Sequence, residues 1–152
     1  MLGDSPSFVI MLATIFPFTS RQDAFYYQVA FSLGIFIRCC MKMAFRDPRP
    51  FMQTLRVYPN MCDFSYGTPD SEILLTTLMI GVIFLNKSRR SIYSQDTRFT
   101  RFMSKFGWFL AIFIWANILF CGVVNGLCTV DQTLFGLNLG IMLAFSCEYL
   151  LR

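Results

Sequence analysis

Four long apolar segments constrain the fold of this 152-residue chain more than any other feature of its sequence. A transmembrane helix needs about 20 consecutive, mostly apolar residues. Apolar residues make up 55% of the chain and charged residues only 14%, which is typical of membrane proteins. The segments predicted to span a membrane comprise residues 24–43, 69–85, 107–124 and 131–151.

A shorter apolar run, residues 7–18, is interrupted by Pro17 and is too short for a full crossing, so we predict a partly inserted interfacial helix. The fold class predicted from these segments is all-α. The chain is expected to form one membrane domain over residues 1–152, a polytopic transmembrane helical bundle with four spanning helices plus a short N-terminal interfacial helix.

The distribution of charge predicts which ends of the helices lie together. The segment 86–106 carries six basic residues and a single acid, Asp96, and such loops stay on the cytoplasmic or matrix side of a membrane. An even number of spans puts the C-terminus on the same side. The polar loop from Lys42 to Glu72 and the turn at 125–132 are therefore predicted to meet on the opposite side.

Histidine is absent from the sequence. This absence excludes Ser–His and Cys–His dyads, histidine metal sites and phosphohistidine chemistry for this polypeptide. The six cysteines show no C-x-x-C spacing, so no metal site and no cofactor are expected. Free thiols are the expectation, with a disulfide between Cys62 and Cys128 as the alternative if that side of the membrane is oxidising.

Three segments on the predicted polar side resemble the motifs of the type 2 phosphatidic acid phosphatase (PAP2) superfamily. Lys42, six residues and Arg49-Pro50 match its first motif. Its second motif, Pro-Ser-Gly-His, opens a helix, and here Pro69-Asp70-Ser71-Glu72 does so. Its third motif, Ser-Arg, five residues, His, three residues, Asp, falls on Cys121-Gly122, Cys128 and Gln132, followed by glycines at 136 and 140.

The resemblance implies a phosphate site whose working groups have been replaced. In the family, the third-motif histidine attacks phosphorus and the second-motif histidine protonates the leaving group. Cys128 and Glu72 occupy those positions here. The resemblance therefore predicts a pseudoenzyme with no catalytic residues, and a vestigial phosphate or lipid-headgroup site formed by Lys42, Arg49, Pro50, Pro69, Asp70, Glu72, Cys128 and Gln132.

Two hypotheses concern the chemistry that remains at this site. Cys128 is not followed by the arginine of cysteine phosphatases, which argues against a replacement nucleophile. The carboxylates of Asp70 and Glu72 would repel a phosphate, so Lys42 and Arg49 are expected to pair with one of them. The alternative is that all four charges face water.

The function expected from this pattern is that of a non-catalytic accessory or structural subunit of a larger membrane complex. A respiratory or ATP synthase assembly of the mitochondrial inner membrane is favoured, with the basic loop in the matrix. The endoplasmic reticulum is the alternative location. The expected partners are other membrane subunits and a phospholipid, such as cardiolipin or another anionic lipid, and no nucleic acid. The alternative functions are an anionic-lipid-binding module using Lys42 and Arg49, or a residual lipid phosphatase.

Overall fold

The computed structural model describes residues 20–49, 66–93 and 98–150, and every regular element within these ranges is an α-helix. Each of the four helices contains a stretch long and apolar enough to cross a membrane, so the predicted all-α membrane bundle with four spans is confirmed. The interfacial helix predicted at residues 7–18 lies outside the described residues. The helices are α1 (Arg21–Phe45), α2 (Ser71–Tyr93), α3 (Arg98–Val124) and α4 (Val130–Leu150).

Contacts between neighbouring residues determine both ends of helix α1. Ser20 has extended backbone geometry and its hydroxyl accepts the Asp23 N–H at 3.3 Å, as expected of an N-cap. At the other end Arg46 adopts a left-handed conformation with φ 49°, and its N–H donates to the Lys42 carbonyl at 3.2 Å. This bond satisfies one carbonyl that would otherwise lack a partner at the helix end. The left-handed residue also ends the helix and changes the direction of the chain.

Helix α2 is the centre of the bundle and α3 is its most peripheral member. Half of the spanning residues of α2 are buried, whereas none of those of α3 are. Large side chains of α3, including Phe109, Phe113 and Phe120, are exposed and suit contact with lipid tails. The core side chains of α2 that are at most 1% exposed are Ile73, Leu74, Leu75, Leu78, Met79 and Val82.

Glycines on α4 allow its backbone to lie directly against that of α2. A β-carbon placed on Gly136 would come within 3.0 Å of the Asp70 carbonyl oxygen. One placed on Gly140 would come within 2.9 Å of the Leu74 carbonyl oxygen. Glycines four residues apart form such close helix contacts in membranes. This contact fixes the start of α2, and with it Asp70, against the start of α4.

The prediction that residues 86–106 form a loop is wrong. Helix α2 continues to Tyr93 and α3 begins at Arg98, so most of this segment is helical. Lysine and arginine are good helix formers, and a helix that leaves the membrane needs no apolar side chains to continue. The polar composition therefore marked the end of the apolar span rather than the end of the helix.

Buried polar groups join the helices at the end of the bundle that carries this basic segment, which we call the basic side. The Asn86 amide donates to Asp23 at 3.2 Å and to the Tyr27 hydroxyl at 2.6 Å. Glu148 accepts a hydrogen bond from the Tyr26 hydroxyl at 2.9 Å and forms an ion pair with Arg89 at 3.1 Å. Glu148 of α4 is thus paired with the basic segment. These contacts link α1, α2 and α4.

Candidate functional site

The candidate site lies at the opposite end of the bundle, which we call the loop side. Here the segment that follows α1 meets the turn between α3 and α4. The Arg49 guanidinium donates to the Leu127 carbonyl at 3.1 Å. The Gln132 amide donates to the Pro48 carbonyl at 3.4 Å. These bonds confirm the prediction that the two polar connections share one side of the membrane.

The start of α2 is built around Asp70. Its carboxylate accepts the Glu72 N–H at 3.1 Å and its carbonyl accepts the Leu74 N–H at 3.1 Å, so Asp70 is the N-cap. Thr68 is not the cap, although threonine is a common cap residue. Thr68 and Pro69, joined by a cis peptide bond, precede the helix, and aspartate two residues on supplies a better-placed acceptor. Within the described residues the buried Thr68 hydroxyl has no hydrogen-bond partner.

The start of α4 is a reciprocal cap that sequence reasoning missed. Gln132 accepts the Thr129 N–H at 3.0 Å, and the Thr129 hydroxyl accepts the Gln132 N–H at 3.3 Å. Threonine followed three residues later by glutamine is a capping box, so the sequence did contain the signal. Because Gln132 also bonds Pro48, one side chain both starts a helix and attaches the arginine-bearing segment.

Cys128 lies between the charged groups of the site. It is buried at 4% exposure, it is a free thiol, and its sulfur lies 3.3 Å from the Thr133 hydroxyl. Cys62, its predicted alternative partner, lies outside the described residues. Burial first, and then the negative charge of Asp70 and a hydrogen bond to it, raise the pKa of the Cys128 thiol from 9.0 to about 12, against smaller opposing effects of Thr133 and Arg49.

The raised pKa bears directly on the question of a replacement nucleophile. The thiolate, not the thiol, attacks electrophiles. With a pKa raised to about 12, the thiol is almost entirely protonated at neutral pH. The Cys128 thiol instead bonds Asp70 and Thr133. The hypothesis that Cys128 is not a nucleophile therefore has a physical basis.

We call Arg49, Asp70, Cys128, Gln132 and Thr133 the loop-side cluster. Gly122 adjoins it, because a β-carbon there would lie 3.1 Å from the Cys128 sulfur and 3.6 Å from the Asp70 carboxylate. Pro69 is buried beside the cluster, while Lys42 and Glu72 are half-buried at the end of α1 and the start of α2. Pro50 lies outside the described residues. The pairing of Lys42 or Arg49 with Asp70 or Glu72 stays a prediction.

These features define an integral membrane protein whose helical bundle carries a buried polar cluster at one end. No protein-family model and no curated protein matches the chain. Its fold is similar to that of a solved structure, a transmembrane PAP2-type phosphatidylglycerolphosphate phosphatase from Bacillus subtilis. The match has a TM-score of 0.75 at 20% sequence identity and covers 97% of this chain and 70% of the other. The predicted PAP2-type fold is thereby confirmed.

This comparison overturns one prediction. The sequence-based interpretation of the chain as a pseudoenzyme rested on residue types at motif positions, whereas the fold is similar to that of a solved phosphatase. The absence of histidine excludes a phosphohistidine intermediate. The residue types present at the motif positions do not exclude other routes of hydrolysis.

Proposed function

We propose that this protein binds phosphorylated membrane lipids by their headgroups at the loop-side cluster. The observation that carries the proposal is the position of Arg49, a cation only 8% exposed at the end of a membrane bundle. A guanidinium presents five donors in a planar fork that matches phosphate oxygens. Its bond to the Leu127 carbonyl orients that fork at the turn between α3 and α4.

Two further groups support a phosphate ligand. The buried Thr68 hydroxyl, which lacks a partner among the residues described, is a donor that a phosphate oxygen would satisfy. Lys42 supplies a second cation from the last turn of α1. Asp70 opposes anion binding by its charge, but its carboxylate already accepts the Glu72 N–H and a hydrogen bond from Cys128.

The test compares two arginines of the same segment. The purified chain in phosphatidylcholine nanodiscs is titrated with phosphatidic acid, phosphatidylglycerolphosphate or further phosphatidylcholine, and retained lipid is measured by native mass spectrometry. Arg49→Gln should lower retention of the phosphomonoester lipids about tenfold or more, because charge-assisted hydrogen bonds contribute about 1.5–3 kcal/mol. Arg46→Gln is the matched control, since Arg46 is exposed three residues away. Equal retention by both variants would refute the proposal.

Lipid phosphate hydrolysis is the second candidate function, and the similarity to a phosphatase fold favours it. A route that needs neither histidine nor a covalent intermediate is direct attack of water on phosphorus. The P–O bond to the lipid breaks, Asp70 accepts the proton of the attacking water, and the departing lipid alkoxide takes up a proton from that carboxyl group or from bulk water. Arg49 would stabilise the charge on the phosphoryl oxygens.

Hydrolysis is measured as inorganic phosphate released from phosphatidic acid or phosphatidylglycerolphosphate in nanodiscs. If the route is direct, Cys128→Ser retains turnover while Asp70→Asn, which keeps the capping oxygen, lowers it by about 100-fold or more. Loss of turnover in Cys128→Ser with Asp70→Asn unaffected would contradict this route. No release by the wild-type chain on either lipid would leave headgroup binding as the function.

Membership of a larger assembly remains a prediction, as does the mitochondrial inner membrane over the endoplasmic reticulum. The exposed apolar side chains of α3 suit partner helices as well as lipid. Blue-native electrophoresis of solubilised membranes tests the prediction, because a subunit migrates with a stable complex while a free protein of this size does not. Migration only at the mass of the free chain would contradict it.

A further inference from the structure

We infer a second lipid site at the basic side, in which an anionic phospholipid lays an acyl chain between α2, α3 and α4 and places its headgroup at Arg89. The site is a cleft of about 380 Å³ within the spanning segments, a volume typical of ligand sites. The side chains that line it are almost entirely apolar, and they include Phe84, Trp108, Ile112, Trp115, Ile141 and Phe145.

The cleft exists because α3 is held to α2 at two separated points. At the inner end the Trp115 indole N–H donates to the Thr77 hydroxyl at 2.9 Å. At the outer end Trp108 contacts Phe84 edge to face, with ring centroids 5.0 Å apart. The two contacts are separated by about two helical turns along α2 and by the same distance along α3. Between them Gly81 lines the cleft without a side chain, and a β-carbon there would lie 2.8 Å from the Ala144 β-carbon of α4.

The outer end of the cleft opens beside a partly polar cavity of about 430 Å³. The two spaces share Leu85 and Phe145. Arg89 lines the outer cavity with its side chain 59% exposed, while its partner Glu148 is only 16% exposed. The guanidinium is therefore tethered on one edge and open to water over most of its surface. This is the arrangement of a cation that can also bind a headgroup phosphate.

Depth and charge together identify the occupant. From Thr77 to Leu85 the cleft runs about 12 Å along α2, close to the roughly 15 Å of hydrocarbon in one leaflet. Its walls offer nothing that a polar ligand could bond along that length. The mouth carries Arg89, and the rest of the segment 86–106 adds five more basic residues to one acid. An acyl chain with an anionic head fits both features.

The site lies at the end of the bundle opposite to the loop-side cluster and does not rest on the proposed function. Its test uses the only two tryptophans of the sequence, both of which line the cleft. The full chain is placed in phosphatidylcholine nanodiscs containing a minor fraction of phosphatidylglycerol with brominated acyl chains. Bound bromine quenches tryptophan fluorescence by contact. We expect quenching several-fold above that given by the same fraction of brominated phosphatidylcholine.

Matched variants separate the cleft from the general lipid surface. Ile112→Phe/Ile141→Phe fills the lining and should abolish the excess quenching. The control pair Ile114→Phe/Met142→Phe alters exposed positions of the same helices outside the lining and should leave it unchanged. Equal quenching by both brominated lipids, or equal loss in both double variants, would overturn the site. So would a stable dimer that only the lining variant dissociates, because the occupant would then be a second copy.

The headgroup is tested at Arg89. Arg89→Gln should remove most of the preference for the anionic lipid, whereas Lys87→Gln deletes the same charge from an exposed neighbour and should remove much less. Equal effects of the two variants would show general surface electrostatics and refute the assignment of the headgroup to Arg89. Arg49→Gln at the other end of the bundle should leave this quenching unchanged, so failure here is distinguishable from failure of the proposed function.

Discussion

Replacing Gly140 by alanine tests whether the contact between the α2 and α4 backbones holds this bundle together. The added β-carbon would lie 2.9 Å from both the Leu74 carbonyl oxygen and the Thr77 β-carbon. Neither atom can swing away as the end of a flexible side chain could, so the two helices must separate. Overpacking of this kind costs about 1–3 kcal/mol.

Alanine also favours the helix over glycine by about 1 kcal/mol, so the net loss expected for Gly140→Ala is about 0–2 kcal/mol. Gly107→Ala is the matched control. It lies within α3, and a β-carbon there meets nothing within 4 Å. The propensity gain is common to both variants, so the difference between them isolates the overpacking cost, expected at about 1–3 kcal/mol.

The assay is reversible unfolding in mixed detergent micelles at increasing mole fraction of sodium dodecyl sulfate, followed by helical circular dichroism. The free energies of unfolding of the two variants are compared with that of the wild-type chain. We expect Gly107→Ala at or above wild type and Gly140→Ala below it. Equal stability of the two variants would refute the close-contact argument, and lower stability of Gly107→Ala would refute the propensity argument.

Three further predictions follow from the polar groups at the two ends of the bundle. Asn86→Leu should destabilise the chain by about 1–3 kcal/mol in the same unfolding assay, because it removes a donor from the buried Asp23 carboxylate. Gln132→Ala should cost about 1 kcal/mol through the lost cap and should speed proteolysis near Pro48, which mass spectrometry of limited digests would detect. Cys128, whose pKa is raised from 9.0 to about 12, should resist iodoacetamide at pH 8. The unfolded chain loses the Cys128 thiol proton above pH 9, while the folded chain retains it. The free energy of unfolding should therefore fall as pH rises from 9 toward 12.

The sequence was sufficient to predict the number of spans and the side of the membrane on which each connection lies. Hydropathy and charge act over whole segments, so these predictions tolerate local error. The Ser20 cap and the Glu148 ion pair were predictable because both depend on short-range or strongly constrained chemistry. A carboxylate in a membrane helix is costly unless it is paired, and the basic side offers the cations that can pair with Glu148.

Features that depend on distances across the bundle were not predictable in the same way. Whether Arg49 would bond the Leu127 carbonyl, and whether Gln132 would reach Pro48, depends on the approach of segments about 80 residues apart in the chain. The cleft beside Trp108 and Trp115 depends on how loosely α3 packs, which no local pattern encodes. The helical extension beyond residue 86 was missed because apolar content was used as a proxy for helix length.

The geometry at the start of α2 shows which contacts of this fold, similar to a PAP2-type fold at 20% identity, depend on the main chain rather than on side chains. Asp70 is fixed by main-chain contacts, since its carbonyl oxygen lies against Gly136 and also accepts the Leu74 N–H. Such contacts depend on glycine and on the backbone, and they tolerate exchange of the neighbouring side chains. Gly122 adds to this tolerance, because the absence of its β-carbon leaves room for the Asp70–Cys128 pair. The chemistry of the site can therefore change while the helix contacts that shape it stay the same.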